Sequence, residues 1–169
     1  GIDDVAAMTI SLFAADLDVK MIVPTWGNVS LEHTLQNTLD LEYFLHTKVP
    51  VVKGANQPLV RPAISAASVH GETGIAGFEF EKANNDLLMS GLAATKMYEA
   101  IKNSPEKVTL LGIGPLTDFA LLFKQYPDVV DNIAEVYIMG GNIGHGNHSP
   151  FAEYNIAGDP EAAQIVFHS

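Results

Sequence analysis

This sequence contains no cysteine, only one arginine and no apolar run long enough to cross a bilayer. Without cysteine the chain has neither disulfides nor thiolate metal ligands, which fits a reducing compartment and predicts a cytoplasmic location. A membrane span needs about 20 consecutive apolar residues, so we expect no membrane partner. The net charge of −11 also argues against binding to nucleic acid or to anionic lipid, because both are polyanions.

The chain has 169 residues and is 47% hydrophobic, which is enough for one domain with a real core. Short apolar runs alternate with amphipathic stretches, a pattern typical of right-handed βαβ units. We therefore predict an α/β fold with a doubly wound, mostly parallel sheet and helices on both faces. The predicted helices are 3–15, a helix capped by Ser30, 89–102 and 116–125, with a helical turn at 127–133, and the predicted strands are 19–24, 49–52, 108–111 and 136–139.

Both ends of the sequence lie in predicted helices, and no strand precedes the first helix. We find no internal repeat and no linker. The expectation is that residues 1–169 form one partial domain that lacks its first strand and its C-terminal part.

The stretch 138–163 combines glycines with amides and a carboxylate, directly after a strand that we expect to be buried. Ligands of α/β proteins usually bind at the carboxyl ends of strands. The stretch has no Lys or Arg, so it suits a neutral, hydroxyl-rich ligand such as a sugar better than a phosphate. Ordinary turn chemistry is the alternative, since glycine-rich loops are common. The candidate ligand residues are Asn147, Glu153 and Asn155, and Asp159 and Pro160 should begin the next helix.

Two further regions carry chemistry. Asp3 and Asp4 open the first helix, where acidic residues favour the helix macrodipole. They could instead form part of a Ca²⁺ site, because Ca²⁺ prefers carboxylate and carbonyl oxygens, and the turn at 112–114 could offer such a carbonyl. The irregular stretch from residue 54 to about 85 is long enough to predict a lid or a binding loop.

Five motifs occur in order along the chain: G-I-D-D-V-A-A-M at 1–8, G-N-V-S at 27–30, V-H-G-E-T-G at 69–74, T-L-L-G-I-G-P-L-T-D at 109–118 and the run M-G-G-N-I-G-H-G-N-H-S-P-F-A-E-Y-N-I-A-G-D-P-E-A-A at 139–163. Taken together, they resemble the inosine-uridine preferring nucleoside hydrolases. The loop H-G-E-T-G-I-A-G is most similar to that of the broad-specificity ribonucleoside hydrolases. The resemblance implies a Ca²⁺-dependent N-glycosidase that splits ribonucleosides into ribose and free base.

The resemblance also implies roles for particular residues. Asp4 would be a Ca²⁺ ligand, and Ile113 would provide a backbone carbonyl to the same ion. His70 would face the base and aid its departure, whereas Trp26 and Tyr154 are interpreted as packing residues. The residues implied to bind or adjoin the ribose are Asp3, Asn28, Met139, Asn147, Glu153 and Asn155.

By the same resemblance, the main catalytic base and acid and further Ca²⁺ ligands would lie outside this sequence. We therefore expect the isolated segment to be inactive. The family commonly forms homo-dimers or homo-tetramers, which predicts the same for the whole protein. Two alternatives stay open: a non-catalytic nucleoside- or ribose-binding module, and a subunit whose missing parts are on another chain. A nucleotide-dependent enzyme is disfavoured, because the sequence has no G-x-x-x-x-G-K-[ST] motif.

Overall fold

The computed structural model describes residues 1–75, 77–78, 80–83 and 85–169. Helices and short strands alternate along it, as predicted for an α/β fold. The helices are α1 Ile2–Phe13, α2 Leu31–Phe44, α3 Ala67–His70, α4 Ala93–Asn103, α5 Thr117–Gln125, a 3-10 helix Pro127–Asn132, α6 Tyr154–Gly158 and α7 Pro160–Phe167. The strands are β1 Val51–Val52, β2 Leu88–Met89, β3 Val108–Gly112 and β4 Ile133–Ile138.

The strands form two parallel pairs, β1 with β2 and β3 with β4. The second pair runs in register from Thr109 opposite Glu135 to Gly112 opposite Ile138. The helix α5 and the 3-10 helix connect these two strands, as a parallel crossover requires. The carboxyl ends of β3 and β4 therefore lie side by side, and the loops that follow them can share one site.

The core lies between the β3–β4 pair and the helices α4, α5 and α7. These helices present both small and large apolar side chains, which allows close packing in the interior. The core residues that are at least 98% buried include Val52, Leu116, Ala120, Leu122, Val129 and Ala162.

Three predictions about strands need correction. The stretch predicted as the strand 19–24 is reduced to a single parallel bridge from Ile22 to Val51. The strand β2 was not predicted: Met89 was expected to begin the helix 89–102, but it lies in β2 and the helix begins at Ala93. The two residues of β2 are defined by pairing with β1 and not by a local pattern. The strand β4 begins at Ile133 and is not buried: four of its six residues are exposed. In the described part of the chain β4 pairs only with β3.

The stretch predicted to be irregular, 54–85, contains the short helix α3; its other described residues lie outside helices and strands, and several hydrogen bonds hold the stretch to the rest of the chain. The Leu59 amide donates to Asp159, and the carbonyl of Ile64 accepts from the Tyr154 hydroxyl. Farther along, Asn37 donates to the Thr73 carbonyl. Ala76, which belongs to the predicted H-G-E-T-G-I-A-G motif, lies outside the described residues.

No helix within the described ranges is both long enough and apolar enough to cross a membrane.

Candidate functional site

Glu153 is the central carboxylate of the loop that follows β4. It is only 5% exposed and caps the helix α6. Its Oε1 accepts from the Asn155 amide at 2.9 Å, and its Oε2 accepts from the amides of Gly141 and Ile156 at 3.0 and 3.1 Å. A carboxylate offers about four acceptor positions. Three are used, which leaves one acceptor position on Oε1.

Asn155 joins the ends of β3 and β4. Its Nδ2 donates to the carbonyl of Ile113 at 3.2 Å and to that of Met139 at 3.0 Å. Both hydrogens of the side-chain amide are thereby committed, and its oxygen remains an acceptor. The Met139 amide in turn donates to the Gly112 carbonyl at 2.8 Å, which continues the β3–β4 pairing to the site.

Asn147 and Tyr154 connect this loop with the rest of the sheet edge. The exposed Asn147 accepts from the Tyr154 amide through Oδ1 at 2.8 Å. The Tyr154 hydroxyl shares its one proton between the carbonyls of Gly27 at 3.0 Å and Ile64 at 3.2 Å, and burial raises the pKa of Tyr154 to about 12. The phenol therefore stays protonated and continues to donate at physiological pH. The neighbouring Asn28 is half-buried, and its carbonyl accepts from the Ala66 amide at 2.9 Å.

The start of α1 forms a second group. Asp4 accepts from the nitrogen of Gly1 at 2.6 Å. The Asp3 carboxylate and the His70 imidazole both lie against Gly1, because a Cβ atom placed there would be 2.5 Å from Asp3 Oδ1 and 3.1 Å from His70 Nδ1. His70 ends α3, whose preceding residue Ala66 is bonded to Asn28. The structure therefore places Asp3, Asp4 and His70 together, with α3 as the link to Asn28.

The predicted site residues, those of the sugar and those of the metal, thus fall into one well-connected group and one looser group. Direct hydrogen bonds connect Ile113, Met139, Glu153 and Asn155, and Asn147 reaches them through Tyr154. Within the described ranges, neither Asp3 nor Asp4 has a direct hydrogen bond to that group. Among the residues that the structure describes, the hydrogen bonds of both groups involve no Lys or Arg, so the region is acidic to neutral as the sequence predicted.

The predicted metal ligands do not by themselves fit a Ca²⁺ ion. Among the described residues, no group of three or more His, Asp or Glu side chains converges as a metal site would require. Asp4 and the Ile113 carbonyl each have a lone pair left beside their hydrogen bonds. Those two residues fall short of the roughly six to eight oxygen ligands that Ca²⁺ takes. Residues beyond the described set would have to complete the site.

Sequence reasoning missed a buried set of polar side chains beneath this loop. Trp26 donates from Nε1 to Thr117 Oγ1 at 3.0 Å, and the Thr117 hydroxyl donates to Asp159 Oδ2 at 2.7 Å. Trp26 is buried, as expected of a packing residue, and Asp159 caps α7 as predicted, where it accepts from the Ala162 amide. The only available signal was that each residue lies close to a predicted ligand in sequence.

A sequence model of the family described as "Inosine-uridine preferring nucleoside hydrolase" matches residues 1–169. Among curated proteins, the chain is 49% identical to a non-specific ribonucleoside hydrolase RihC of Klebsiella pneumoniae, and the match covers all of this chain and 55% of that protein. A RihC of Escherichia fergusonii is 46% identical over the same shares. The chain thus spans about half the length of the curated relatives it matches.

Solved structures give the same result. A purine-preferring ribonucleoside hydrolase from Gardnerella vaginalis superposes with a TM-score of 0.92 at 28% identity, over 99% of this chain and 54% of that one. A plant nucleoside hydrolase superposes with a TM-score of 0.89 at 30% identity, over 99% and 54%. The α/β fold predicted from the sequence is therefore confirmed, and the arrangement described above is similar to about half of those structures.

Proposed function

This chain belongs to the inosine-uridine preferring nucleoside hydrolase family, and from that premise we propose that the natural protein hydrolyses the N-glycosidic bond of ribonucleosides. The observation that carries the proposal is Glu153, a buried carboxylate with three backbone donors and one acceptor position left, at the carboxyl end of β4. The similarity to enzymes named non-specific ribonucleoside hydrolases supports purine and pyrimidine ribonucleosides as the substrate class.

The residues of the well-connected group are suited to hold the ribose. Glu153 would accept a hydrogen bond from one sugar hydroxyl, and Asn155 would accept one through Oδ1. We also assign Asn28, Asp3 and Asn147 to the sugar and place Met139 beside it. Two hydrogen bonds hold the Asn155 side chain against the ends of β3 and β4, which lowers the entropic cost of orienting the diol.

Cleavage of the glycosidic bond leaves positive charge on the sugar ring, because the transition state resembles an oxocarbenium ion. A water oxygen bonds to the anomeric carbon as the C–N bond breaks and its electron pair passes to the base. The water gives up one proton, and the leaving base nitrogen gains one, so that ribose and free base are the products. The carboxylates of Glu153 and Asp3 would stabilise that charge. Their described hydrogen bonds involve no Lys or Arg, so no cationic side chain neutralises them there. His70, beside Asp3, would lie on the base side and aid departure of the base.

We propose Ca²⁺ as the metal, with Asp4 and the Ile113 carbonyl as two of its ligands. A bound Ca²⁺ would supply a Lewis acid that orients the diol and lowers the pKa of a water molecule. The other ligands would come from parts of the natural protein beyond the described residues, and we expect residues 1–169 alone to be inactive. We further propose that residues 1–169 belong to a single domain and that the natural protein is a homo-dimer or homo-tetramer. We place it in the cytoplasm, with a role in nucleoside salvage.

One observation favours a second candidate, a ribose-binding module without catalysis. Three of the proposed sugar residues, Met139, Glu153 and Asn155, are connected by hydrogen bonds, whereas among the described residues no group of three or more metal-ligating side chains converges. Such a module would bind ribose or nucleosides equally well with and without a metal chelator.

The test is release of free base from inosine and uridine by the natural protein, with and without a calcium chelator. We expect release that the chelator abolishes and added Ca²⁺ restores.

Glu153→Gln should lower kcat/KM by about tenfold to hundredfold, because a charged hydrogen bond is lost. Glu161→Gln, the same change at a surface residue paired with Arg61, should stay within about twofold of the natural protein. Chelator-independent ribose binding without base release would contradict the proposal in favour of the binding module.

A further inference from the structure

A chain of buried hydrogen bonds lies beneath the proposed sugar site. It runs from Trp26 through the Thr117 hydroxyl to the Asp159 carboxylate, and these residues are 2%, 1% and 0% exposed. Asp159 Oδ2 also accepts from the Leu59 amide at 2.9 Å, and its Oδ1 accepts from the Ala162 amide at 3.0 Å. Only the last of these bonds caps α7, so the Asp159 carboxylate holds more of the structure than a helix cap requires.

The three side chains come from three separate segments of the chain, each of which carries a proposed site residue. Trp26 lies two residues before Asn28, and Thr117 lies four residues after Ile113. Asp159 lies four residues after Asn155, at the far end of α6. A shift in any one of these bonds would therefore move one proposed ligand relative to the others.

Chemistry fixes which group donates and which accepts in the two hydrogen bonds that join Trp26, Thr117 and Asp159. An indole N–H only donates and an ionised carboxylate only accepts, so the hydroxyl between them must accept from Trp26 and donate to Asp159. An aliphatic side chain of the same size can do neither. Thr117 thus joins the two outer segments through a single oxygen atom.

The residues around these hydrogen-bonded side chains are closely packed and leave little room for adjustment. A Cβ atom on Gly158 would be 2.9 Å from Trp26 Cη2, and a Cβ atom on Gly114 would be 3.3 Å from Thr25 Cγ2. The three segments are therefore in close contact as well as hydrogen bonded. A misplacement of about 1 Å at an active site can lower a rate about a hundredfold.

We propose that Trp26, Thr117 and Asp159 are positioning residues, which hold the segments of Asn28, Ile113 and Asn155 in register for the ribose. The inference rests on the proposed function, since it concerns the same sugar site. The three side chains are buried beneath the sugar site and act through the residues that bind the sugar.

The test compares Thr117→Val, which keeps the volume and removes the hydroxyl, with Thr117→Ser, which keeps the hydroxyl. Thr38→Val is the matched control, because Thr38 is a buried threonine like Thr117. Its hydroxyl, however, donates to a backbone carbonyl within α2 and not to a side chain of another segment. In the natural protein, we expect Thr117→Val to lower kcat/KM and the affinity for free ribose by at least about tenfold. Thr117→Ser should return both to within about threefold, and Thr38→Val should leave both within about twofold of the natural protein.

Nuclear magnetic resonance gives a readout that a general loss of stability would not move. The indole N–H resonance of Trp26 should shift in folded Thr117→Val and keep its position in Thr38→Val. Kinetics and ribose affinity of Thr117→Val within about twofold of the natural protein would overturn the inference. If Thr117→Val does not fold, Trp26→Phe carries the same test, since it removes the indole donor and keeps an aromatic ring.

Measuring ribose affinity beside hydrolysis separates the two proposals. If the natural protein binds ribose without hydrolysing nucleosides, and Thr117→Val weakens that binding, the positioning role stands and the hydrolase proposal fails. If the natural protein hydrolyses nucleosides and Thr117→Val does so equally well, only the positioning role fails. If it neither hydrolyses nucleosides nor binds ribose, both fail.

Discussion

Asp118 is a buried carboxylate whose ionisation costs free energy in the folded chain. Burial raises the pKa of Asp118 above its ordinary value of 3.8, and the hydrogen bonds from the Ala55 amide oppose this shift only in part. The folded state therefore holds the proton more tightly than the unfolded state does. Stability must fall as pH rises from below 3.8 through the raised pKa, and the loss persists above it.

Replacing Asp118 by asparagine tests this directly. The amide of the Asp118→Asn variant would not ionise, and its oxygen could still accept from the Ala55 amide. We expect Asp118→Asn to gain stability relative to the natural chain as pH rises from about 3 to about 7. Urea unfolding at a series of pH values gives the difference between the two free energies of unfolding. A difference that does not change with pH, or that changes in the opposite direction, would contradict this assignment.

Single residues also show where sequence reasoning ended. The capping role of Asp159 was predictable, because an Asp-Pro pair before an apolar stretch has a local cause. Its bonds to Leu59 and Thr117 were not, since these partners lie 100 and 42 residues away. Likewise, Glu153 and Asn155 were identified as ligand candidates, but their bonds to Gly141 and Ile113 depend on how β3 and β4 pair.

At the scale of elements, the helices were easier to predict than the strands. Ser30 does precede α2, although its hydroxyl makes no capping bond and instead lies 3.4 Å from His33 Nδ1. The strand β4 was expected to be buried because its sequence is apolar. Burial of a strand depends on what covers it, and the described part of the chain gives β4 only one neighbour, β3.

The helix α6 gives a prediction of its own, because its last residue, Gly158, faces the ring of Trp26. Alanine normally favours a helix over glycine. Here its Cβ atom would be 2.9 Å from a buried, rigid ring, so Gly158→Ala should lower the free energy of unfolding by about 1–3 kcal/mol through overpacking.

Thermal or urea unfolding measures this effect. Gly27→Ala is the matched control, because a Cβ atom there would be 3.6 Å from Pro115 Cδ, an ordinary contact. We expect its change in stability to stay within about 0.5 kcal/mol. Equal stability losses in the two variants would show that the close approach to Trp26 is not the cause.

At the scale of the whole molecule, the ordered series of motifs predicted the family and the α/β class correctly. Composition alone would not have done so, since an acidic, cysteine-free chain of this size fits many folds. The sequence did not predict how much the helices differ in burial. Burial is a property of the assembled structure, and it differs greatly from one helix to another.

The helix α1 has no buried residue within the described structure, whereas α4, α5 and α7 contribute most of the core. The backbone of this chain should therefore open in stages. Amide protons of α1 should exchange with deuterium through local fraying, and those of β3 and α5 only when the whole core opens. Hydrogen exchange followed by mass spectrometry would measure both rates. Protection of α1 equal to that of α5 would mean that a further surface covers the helix in the natural protein.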